Sequence, residues 1–195
     1  DVNALAVGEG RFGAGRSFRE IIYVAVGTGV GGAIVRGGEI WRGVHFNAGE
    51  VAYLVADWDA QGRPVIVEDR ASGLAMERRY QALAQSAERV PLRQIAERAD
   101  TGDNLARRVI VEGARVLGLV LNPLVGILDP EMLIVGGGVP NIGPLWWDAF
   151  ESALRDSPMP SVQAVHVAPA ALSTNAGLIG AAALALNALD AQSMK

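Results

Sequence analysis

The feature that most constrains the fold is an apolar run, Ile21–Val26, that leads directly into the glycine-rich segment 27–32. The run is rich in β-branched residues and lies between charged residues and glycine, which is typical of a buried strand. Residues 33–35 and 39–41 then flank an Arg-Gly-Gly turn, and glycine supplies the positive φ that a tight turn needs, so this spacing predicts a hairpin. Residues 51–56 are predicted to be the strand that completes an antiparallel meander.

Beyond the meander the period of the apolar residues lengthens, which indicates helices. Asp103 or Thr101 would cap the longest helix, and Pro123 should bend or end it. The predicted helices cover residues 72–87, 92–99, 103–121, 145–154 and 175–189, and the later predicted strands cover residues 132–135 and 162–167.

The order of these elements predicts the fold class. A meander followed by helices and a βαβα unit is what a ribonuclease-H-like lobe requires. We therefore predict an α/β fold with a mixed sheet and helices on its faces. No internal repeat, low-complexity tract or linker interrupts the sequence, so residues 1–195 are expected to form a single domain.

The composition argues against several classes of protein. The formal net charge of the 195-residue chain is −4, so its charge balance lacks the excess of basic residues that is typical of nucleic-acid-binding proteins. The absence of cysteine removes disulfides, thiol nucleophiles and Cys/His zinc sites. The apolar stretches 116–128 and 176–186 are shorter than the roughly 20 residues that a helix needs to cross a bilayer. We therefore expect a cytoplasmic protein without a membrane segment.

Two glycine clusters are candidate ligand-binding loops. Residues 27–32 fit the dinucleotide pattern G-x-G-x-x-G, but that motif must open a helix, and here a strand follows. What remains is either a turn whose N–H groups and Thr28 hydroxyl face an anion, or a hairpin with no ligand. The triple glycine 136–138 follows a predicted strand, at the edge where α/β sheets bind ligands, although it could be a bare turn. The two loops together favour a nucleotide.

Two carboxylates are candidate sugar ligands. Glu50 and Glu68 could each pair with neighbouring hydroxyls of a polyol in directional, bidentate contacts. Either residue alone would more often be a solvated or ion-paired surface group. His45 and His166 are assigned no role, and Trp146-Trp147 is expected to pack in the core.

These segments together resemble the ROK family (repressors, open reading frames and kinases) over nearly the whole chain. The resemblance implies the second lobe of an actin-like ATPase-type fold, and hence a C-terminal lobe whose N-terminal partner is absent from residues 1–195. The matching segments, in the family's order, are residues 1–4 with Gly8-Glu9, then 23–32, 48–50, 68–73, 128–139 and 177–182.

The resemblance also implies roles for individual residues. Asp1 would be the general base that takes a proton from the attacking sugar hydroxyl, as phosphoryl transfer requires. Glu50, Glu68 and Asn47 would hold the sugar, and Mg²⁺ would be bound mainly by phosphates and water. A homodimer is expected as well. The residues assigned to ATP are Gly27, Thr28 and Gly29 at the phosphates and Gly136, Gly137 and Gly138 at the adenosine.

The chain departs from the family pattern at the sugar-binding segment. Tyr53 stands where the family has histidine, and Ala52 replaces the preceding glycine. The cysteine-rich zinc segment before Glu68 is replaced by Gln-Gly-Arg-Pro at residues 61–64. No zinc is therefore expected, and the orientation of the sugar is put in doubt.

Three functions stay open at this point. An ATP-dependent sugar kinase is favoured by Asp1 and the intact glycine loops, since a pure sensor need not keep a phosphate cradle. A sugar-sensing lobe of a transcriptional regulator is favoured by the lost histidine and zinc ligands, and it would contact nucleic acid only through an N-terminal segment. A degenerate assembly domain is the third. Because phosphoryl transfer needs both lobes to close, the isolated lobe is expected to bind neither ligand tightly.

Overall fold

The computed structural model describes residues 1–172 and 175–193. Short 3₁₀ turns occur at Val51–Tyr53 and Val139–Ile142. The helices are α1 Val2–Phe12, α2 Glu68–Ala71, α3 Gly73–Ala84, α4 Leu92–Asp100, α5 Asn104–Leu128, α6 Pro144–Leu154, α7 Pro160–Ala164 and α8 Ala176–Ser193. The strands are β1 Ile21–Val26, β2 Val30–Arg36, β3 Glu39–Ile40, β4 Val55–Trp58, β5 Pro64–Ile66, β6 Met132–Gly136 and β7 His166–Pro169.

The main sheet is mixed, with five strands in the order β3-β2-β1-β6-β7. β1, β2 and β3 form an antiparallel meander, and the turn between β2 and β3 places Gly37 and Gly38 at φ of 61° and 85°. β1 pairs in parallel with β6, and β6 with β7. The predicted mixed sheet and the hairpin of its opening meander are confirmed, but the meander is completed by β3 and not by the predicted strand 51–56.

β1 is apolar along its whole length because both faces of the sheet are covered. Ile22, Val24 and Val26 belong to the larger hydrophobic cluster, which also holds residues of α3, α5 and α6. Ile21 and Tyr23 belong to a smaller cluster with Ala6 and other residues of α1 as neighbours. A strand with one face in water would alternate apolar and polar residues, which β1 does not.

α5 is the central helix of the larger cluster, and α6 packs directly against it. A Cβ on Gly118 would overlap the carbonyl of Phe150, so this glycine permits the close approach of the two helices. The prediction that the helix ends near Pro123 is wrong, since it continues to Leu128. Val125 is buried, and Asn122 Nδ2 donates to the Leu154 carbonyl at 2.8 Å, so packing outweighs the hydrogen bond that proline removes.

By length and mean hydropathy (1.6) α5 could cross a membrane. Its buried residues, among them Ala114 and Leu117, instead form part of the protein's own core. Core helices of this kind satisfy the same criteria.

Two predicted strands are corrected by the structure. Residues 51–56 do not join the main sheet: Val51–Tyr53 is a 3₁₀ turn, and Val55–Trp58 pairs with Pro64–Ile66 in a separate two-stranded sheet. Residues 162–167 lie partly in α7, and β7 starts only at His166. In the second case the alternating apolar residues imitate a strand, but Pro160 at the first helical position favours a helix.

Helix α1 was not predicted from the sequence. Asp1 is its N-cap, with Oδ1 accepting a hydrogen bond from the Val2 amide at 2.8 Å. The helix packs tightly on α8, since a Cβ on Gly8 would lie 2.5 Å from the Ala176 carbonyl oxygen.

The predicted cap of α5 leads to a stability test. Asp103 Oδ1 accepts from the amides of Leu105 and Ala106, and Oδ2 accepts from the Tyr80 hydroxyl at 2.7 Å. Asp103→Ala should lower the free energy of unfolding by about 1–2 kcal/mol, the usual loss for an N-cap. Asp103→Asn, which can still cap, should lose less. Urea denaturation measures both, and equal stability of the alanine variant and wild type would contradict this role.

The same residue makes the stability difference depend on pH. The hydrogen bond from Tyr80, together with the backbone amides, holds the pKa of Asp103 below its usual range. A carboxyl with a lowered folded-state pKa stabilises the fold above its unfolded-state pKa, and this stabilisation is lost as the pH falls through the folded-state value. The gap between wild type and Asp103→Ala should therefore be full at neutral pH and should shrink below about pH 4. Urea titrations at a series of pH values measure it.

Candidate functional site

The two glycine loops meet at one edge of the sheet because β1 and β6 run in parallel. Ala25 is paired with Gly136, so the loops that follow these strands are adjacent. Gly137, at φ 95°, leaves no room for a side chain, since a Cβ there would overlap the Val26 carbonyl. The contact joins the end of β1 to the triple glycine.

The loop of Gly27, Thr28 and Gly29 is braced from one side. The Gly73 amide donates to the Gly27 carbonyl at 2.8 Å, which ties the loop to the start of α3. The Thr28 side chain is exposed, and a Cβ on Gly27 would meet open space. The loop therefore presents backbone to solvent on the side away from α3, as a phosphate cradle requires.

Glu68 supports this loop through a hydrogen bond to the backbone that follows it. Its Oε2 accepts from the Val30 amide at 2.9 Å, and a Cβ on Gly29 would overlap the same oxygen. Oε1 makes no hydrogen bond with the residues that the structure describes. Glu68 thus lies between the loop of Gly27–Gly29 and β2, and its Oε1 is available to a ligand.

A cavity of about 260 Å³ lies beside the N-terminus of α1. It brings together two of the predicted site residues, Asp1 and Glu50, and both side chains are exposed. Asn47 and Glu68 lie outside the lining of this cavity. The remaining lining residues are Val2, Asn3, Val30, Gly31, Gly32, Phe46 and Ala48.

Glycines allow the walls of this sugar-sized cavity to approach each other. A Cβ on Gly32 would lie 2.5 Å from the Gly49 carbonyl oxygen, and one on Gly31 would lie 2.8 Å from the Val2 side chain. Gly49 has φ 93°, which lets the chain turn and present Glu50. Phe46, at φ 60°, is a non-glycine residue held in the left-handed region on the same loop.

A second cavity, of about 360 Å³, lies at the triple glycine. Gly136, Gly137 and Gly138 form one wall, and Pro169 with Ala170, at the end of β7, forms part of another. α1 contributes Leu5, so this helix lines both cavities along its length. The other lining residues are Tyr23, Val135, Pro140 and Asn141.

Glu9 was not predicted as a site residue, yet it holds a wall of the second cavity in place. Its side chain is fully buried, and its carboxyl oxygens accept from the amides of Ala14, Ala171 and Leu172 at 2.7–3.0 Å. The last two amides directly follow the wall residue Ala170. The sequence signal was the Gly8-Glu9 pair, which carried no role by itself.

The segment that departs from the family pattern forms a self-contained hairpin. Asp59 Oδ1 accepts from the Gln61 and Arg63 amides, and Oδ2 accepts from the Arg63 side chain at 2.7 Å. The Arg63 backbone hydrogen bond is the main cause of a lowered Asp59 pKa. Tyr53 is 69% exposed. Within the described residues, no group of three acidic, histidine or cysteine side chains could hold a metal ion.

A larger cavity, of about 400 Å³, lies between α3 and α5, away from the glycine loops. Several of its charged groups are already paired, as Arg70 is with Asp57 at 3.3 Å and Arg79 with Glu112 at 3.7 Å. These neutralised pairs make it a weaker candidate than the two cavities at the sheet edge.

The architecture places the protein first in a fold class. The mixed sheet, its opening meander and the ligand-sized cavities at the strand ends are those of an actin-like ATPase lobe. Residues 1–188 match the ROK family, and the chain belongs to that family.

Relatives of this chain include both enzymes and regulators. It is 31% identical over 187 residues to a bifunctional enzyme NanE/NanK of Brucella suis, covering 95% of this chain and 34% of the relative. A ROK family glucokinase from Streptomyces griseus, solved with glucose and AMPPNP, is 32% identical with a TM-score of 0.79, covering 94% of this chain and 65% of that one. A ROK family transcriptional regulator, a homologue of the E. coli MLC protein, is 26% identical with a TM-score of 0.80 and coverages of 93% and 49%. The chain therefore spans less than two thirds of each of these relatives.

The role of Glu9 can be tested through stability. Glu9→Gln replaces one acceptor oxygen by an NH₂ group, which would face backbone N–H donors. Hydrogen bonds to a charged group contribute about 1.5–3 kcal/mol, so the free energy of unfolding should fall by about that amount. Glu151→Gln, which removes the charge of a half-exposed pair with Arg155, is the matched control and should change it little. Equal losses in the two variants would contradict the role of Glu9.

Proposed function

We propose that this chain is the sugar- and nucleotide-binding lobe of an ATP-dependent kinase that phosphorylates a hexose-type sugar. The observation that carries the proposal is that one cavity borders Val30–Gly32, directly after the Gly27–Gly29 loop, and the other borders Gly136–Gly138, which the pairing of Ala25 with Gly136 places next to the same loop. One cavity holds the carboxylates of Asp1 and Glu50, and the other is built on the triple glycine. A sugar and a nucleotide bound there would approach each other at the phosphate loop.

Asp1 is proposed to be the general base. Its Oδ1 is held by the Val2 amide as the N-cap of α1, and Oδ2 makes no hydrogen bond with the described residues. Oδ2 would take the proton of the attacking hydroxyl while that oxygen bonds to the γ-phosphorus of ATP. The bond from phosphorus to the β,γ-bridging oxygen would break, and ADP would leave.

The remaining predicted residues are proposed to bind the two substrates. Glu50 and the free Oε1 of Glu68 would accept hydrogen bonds from sugar hydroxyls. Asn47 is exposed on the loop that carries Phe46, so it would reach the sugar only if this loop closes.

The chain has places that fit ATP. The amides of Gly27–Gly29 and the Thr28 hydroxyl would face the phosphates, and the cavity at Gly136–Gly138 has room for a nucleoside. Mg²⁺, held mainly by phosphate oxygens and water, would neutralise the charge of the phosphates. No zinc is expected, because no cysteine is present and an Asp59-centred turn occupies the position of the zinc segment.

The glucokinase bound to glucose and AMPPNP supports this proposal, since its fold agrees with this chain along 94% of the chain. A homodimer in the cytoplasm is proposed from the family as well. The sugar itself is left open within the hexose class.

A second function is favoured by one observation. Tyr53 replaces the family's histidine and points largely to solvent, and the regulator's structure agrees with this chain about as well as the glucokinase's does. The lobe could then sense a sugar for a transcriptional regulator. Contact with nucleic acid would come from a segment outside residues 1–195.

A coupled ATP-consumption assay on the full-length protein, with a panel of hexoses and amino sugars, distinguishes these functions. Asp1→Asn should lower kcat by about 100- to 10,000-fold, the usual contribution of a general base. Because asparagine caps a helix as well as aspartate does, the melting temperature should not change. Asp69→Asn, on the exposed face of α2, is the control that should keep full activity.

The other outcomes of the assay are equally informative. Turnover that survives Asp1→Asn would overturn the assignment of the base. If no sugar is phosphorylated but one of them raises the melting temperature, the sensor function replaces the kinase.

A further inference from the structure

Tyr23 is one of the largest fully buried side chains, and its hydroxyl makes no hydrogen bond with the residues that the structure describes. The residue is 2% exposed, yet within the described residues Trp146 Nε1 is the only fully enclosed side-chain nitrogen or oxygen without a partner, so the Tyr23 hydroxyl oxygen is not sealed off. A hydroxyl that is uncommitted within the protein is free to bond to water or to a ligand. Tyr80 is the contrasting case, since it is equally buried but donates to Asp103 and accepts from Arg98.

The hydroxyl of Tyr23 reaches the cavity at the triple glycine. The side chain belongs to the cluster on the α1 face of the sheet and is part of the cavity lining. A Cβ on Gly136 would overlap the hydroxyl oxygen of Tyr23. This oxygen therefore lies directly beside the Gly136 backbone, which lines the cavity. Gly136 therefore leaves the space that lets a buried tyrosine present its polar end to a ligand.

The surroundings keep the hydroxyl protonated. Burial, with a smaller contribution from the nearby Glu9 carboxyl, raises the pKa of Tyr23 to about 12. At physiological pH the group is an O–H donor. Asn141 is the other lining residue with a polar side chain, and its Nδ2 already donates to the Gly137 carbonyl at 3.2 Å. The Tyr23 O–H is thus the uncommitted side-chain donor of this cavity.

We propose that Tyr23 is a specificity-determining residue of the nucleotide site, whose hydroxyl donates a hydrogen bond to an acceptor atom of the nucleoside. This inference rests on the proposed function. The contact falls on the nucleoside because the hydroxyl lies at Gly136, whereas the phosphates would meet Gly27–Gly29. The hydrogen bond would use the uncommitted side-chain donor of this cavity, so its formation favours the bound state.

Tyr23→Phe and Tyr80→Phe in the full-length protein form a matched pair for the test. Without ligand, Tyr23→Phe should unfold at about the same temperature as wild type, because the hydroxyl that it removes makes no hydrogen bond with the described residues. Tyr80→Phe should unfold at a lower temperature, because its hydroxyl joins Asp103 to Arg98. Thermal unfolding measures this first difference.

Calorimetric titration with ATP, ADP and adenosine then measures the second difference. Tyr23→Phe should weaken binding of all three ligands by about three- to tenfold, the value of one hydrogen bond, while Tyr80→Phe should bind them like wild type. The KM for the sugar should not change in either variant.

Two results would overturn the inference, and they differ in what they say about the proposed function. In the first result, wild type binds ATP, and Tyr23→Phe either binds ATP equally well or loses affinity for ATP but not for adenosine. Tyr23 then makes no hydrogen bond to the nucleoside, and the kinase proposal stands. If wild type binds none of the three ligands, the nucleotide site and the inference both fail.

Discussion

The parallel pairing of β1 with β6 is the constraint on which the site depends. It brings two loops that are more than a hundred residues apart in sequence to one edge of the sheet, with Ala25 opposite Gly136. Glycine is needed where the loops touch, because a Cβ on Gly137 would overlap the Val26 carbonyl. A register shift of one residue would move one loop by about 3.3 Å relative to the other and would turn the side chains of the shifted strand to the opposite face of the sheet.

α1 connects the parts of the site that the sheet edge alone does not. Asp1 caps its first turn beside the sugar-sized cavity, Leu5 lines the cavity at the triple glycine, and Glu9 holds the segment after β7. Residues four apart lie on the same side of a helix, so a single face of α1 spans both cavities. The tight contact with α8 fixes that face in position.

The segment that departs from the family pattern is held in shape by its own hydrogen bonds. The Asp59 carboxylate accepts hydrogen bonds from backbone and side-chain donors of its own turn, and β4 and β5 pair on either side of this turn. Glu68 follows directly in α2 and still reaches the Val30 amide. A local hydrogen-bond network thus holds the segment that precedes Glu68, and it does so without any cysteine.

The sequence alone determined the family, the hairpin that follows β1, both glycine loops and the two candidate caps of α5, because each depends on neighbours along the chain. Only the tertiary structure decided that Asp103 is the cap, that Asp1 and Glu50 share a cavity, that Glu68 supports the loop of Gly27–Gly29 and that Asn47 lies outside the cavity. It also showed that α5 continues beyond Pro123 and that Tyr23, a buried residue of β1, is part of the lining of a cavity. The physical reason is the same throughout: a local pattern specifies conformation and burial, whereas the partner of a side chain is set by contacts between segments that are distant in the sequence.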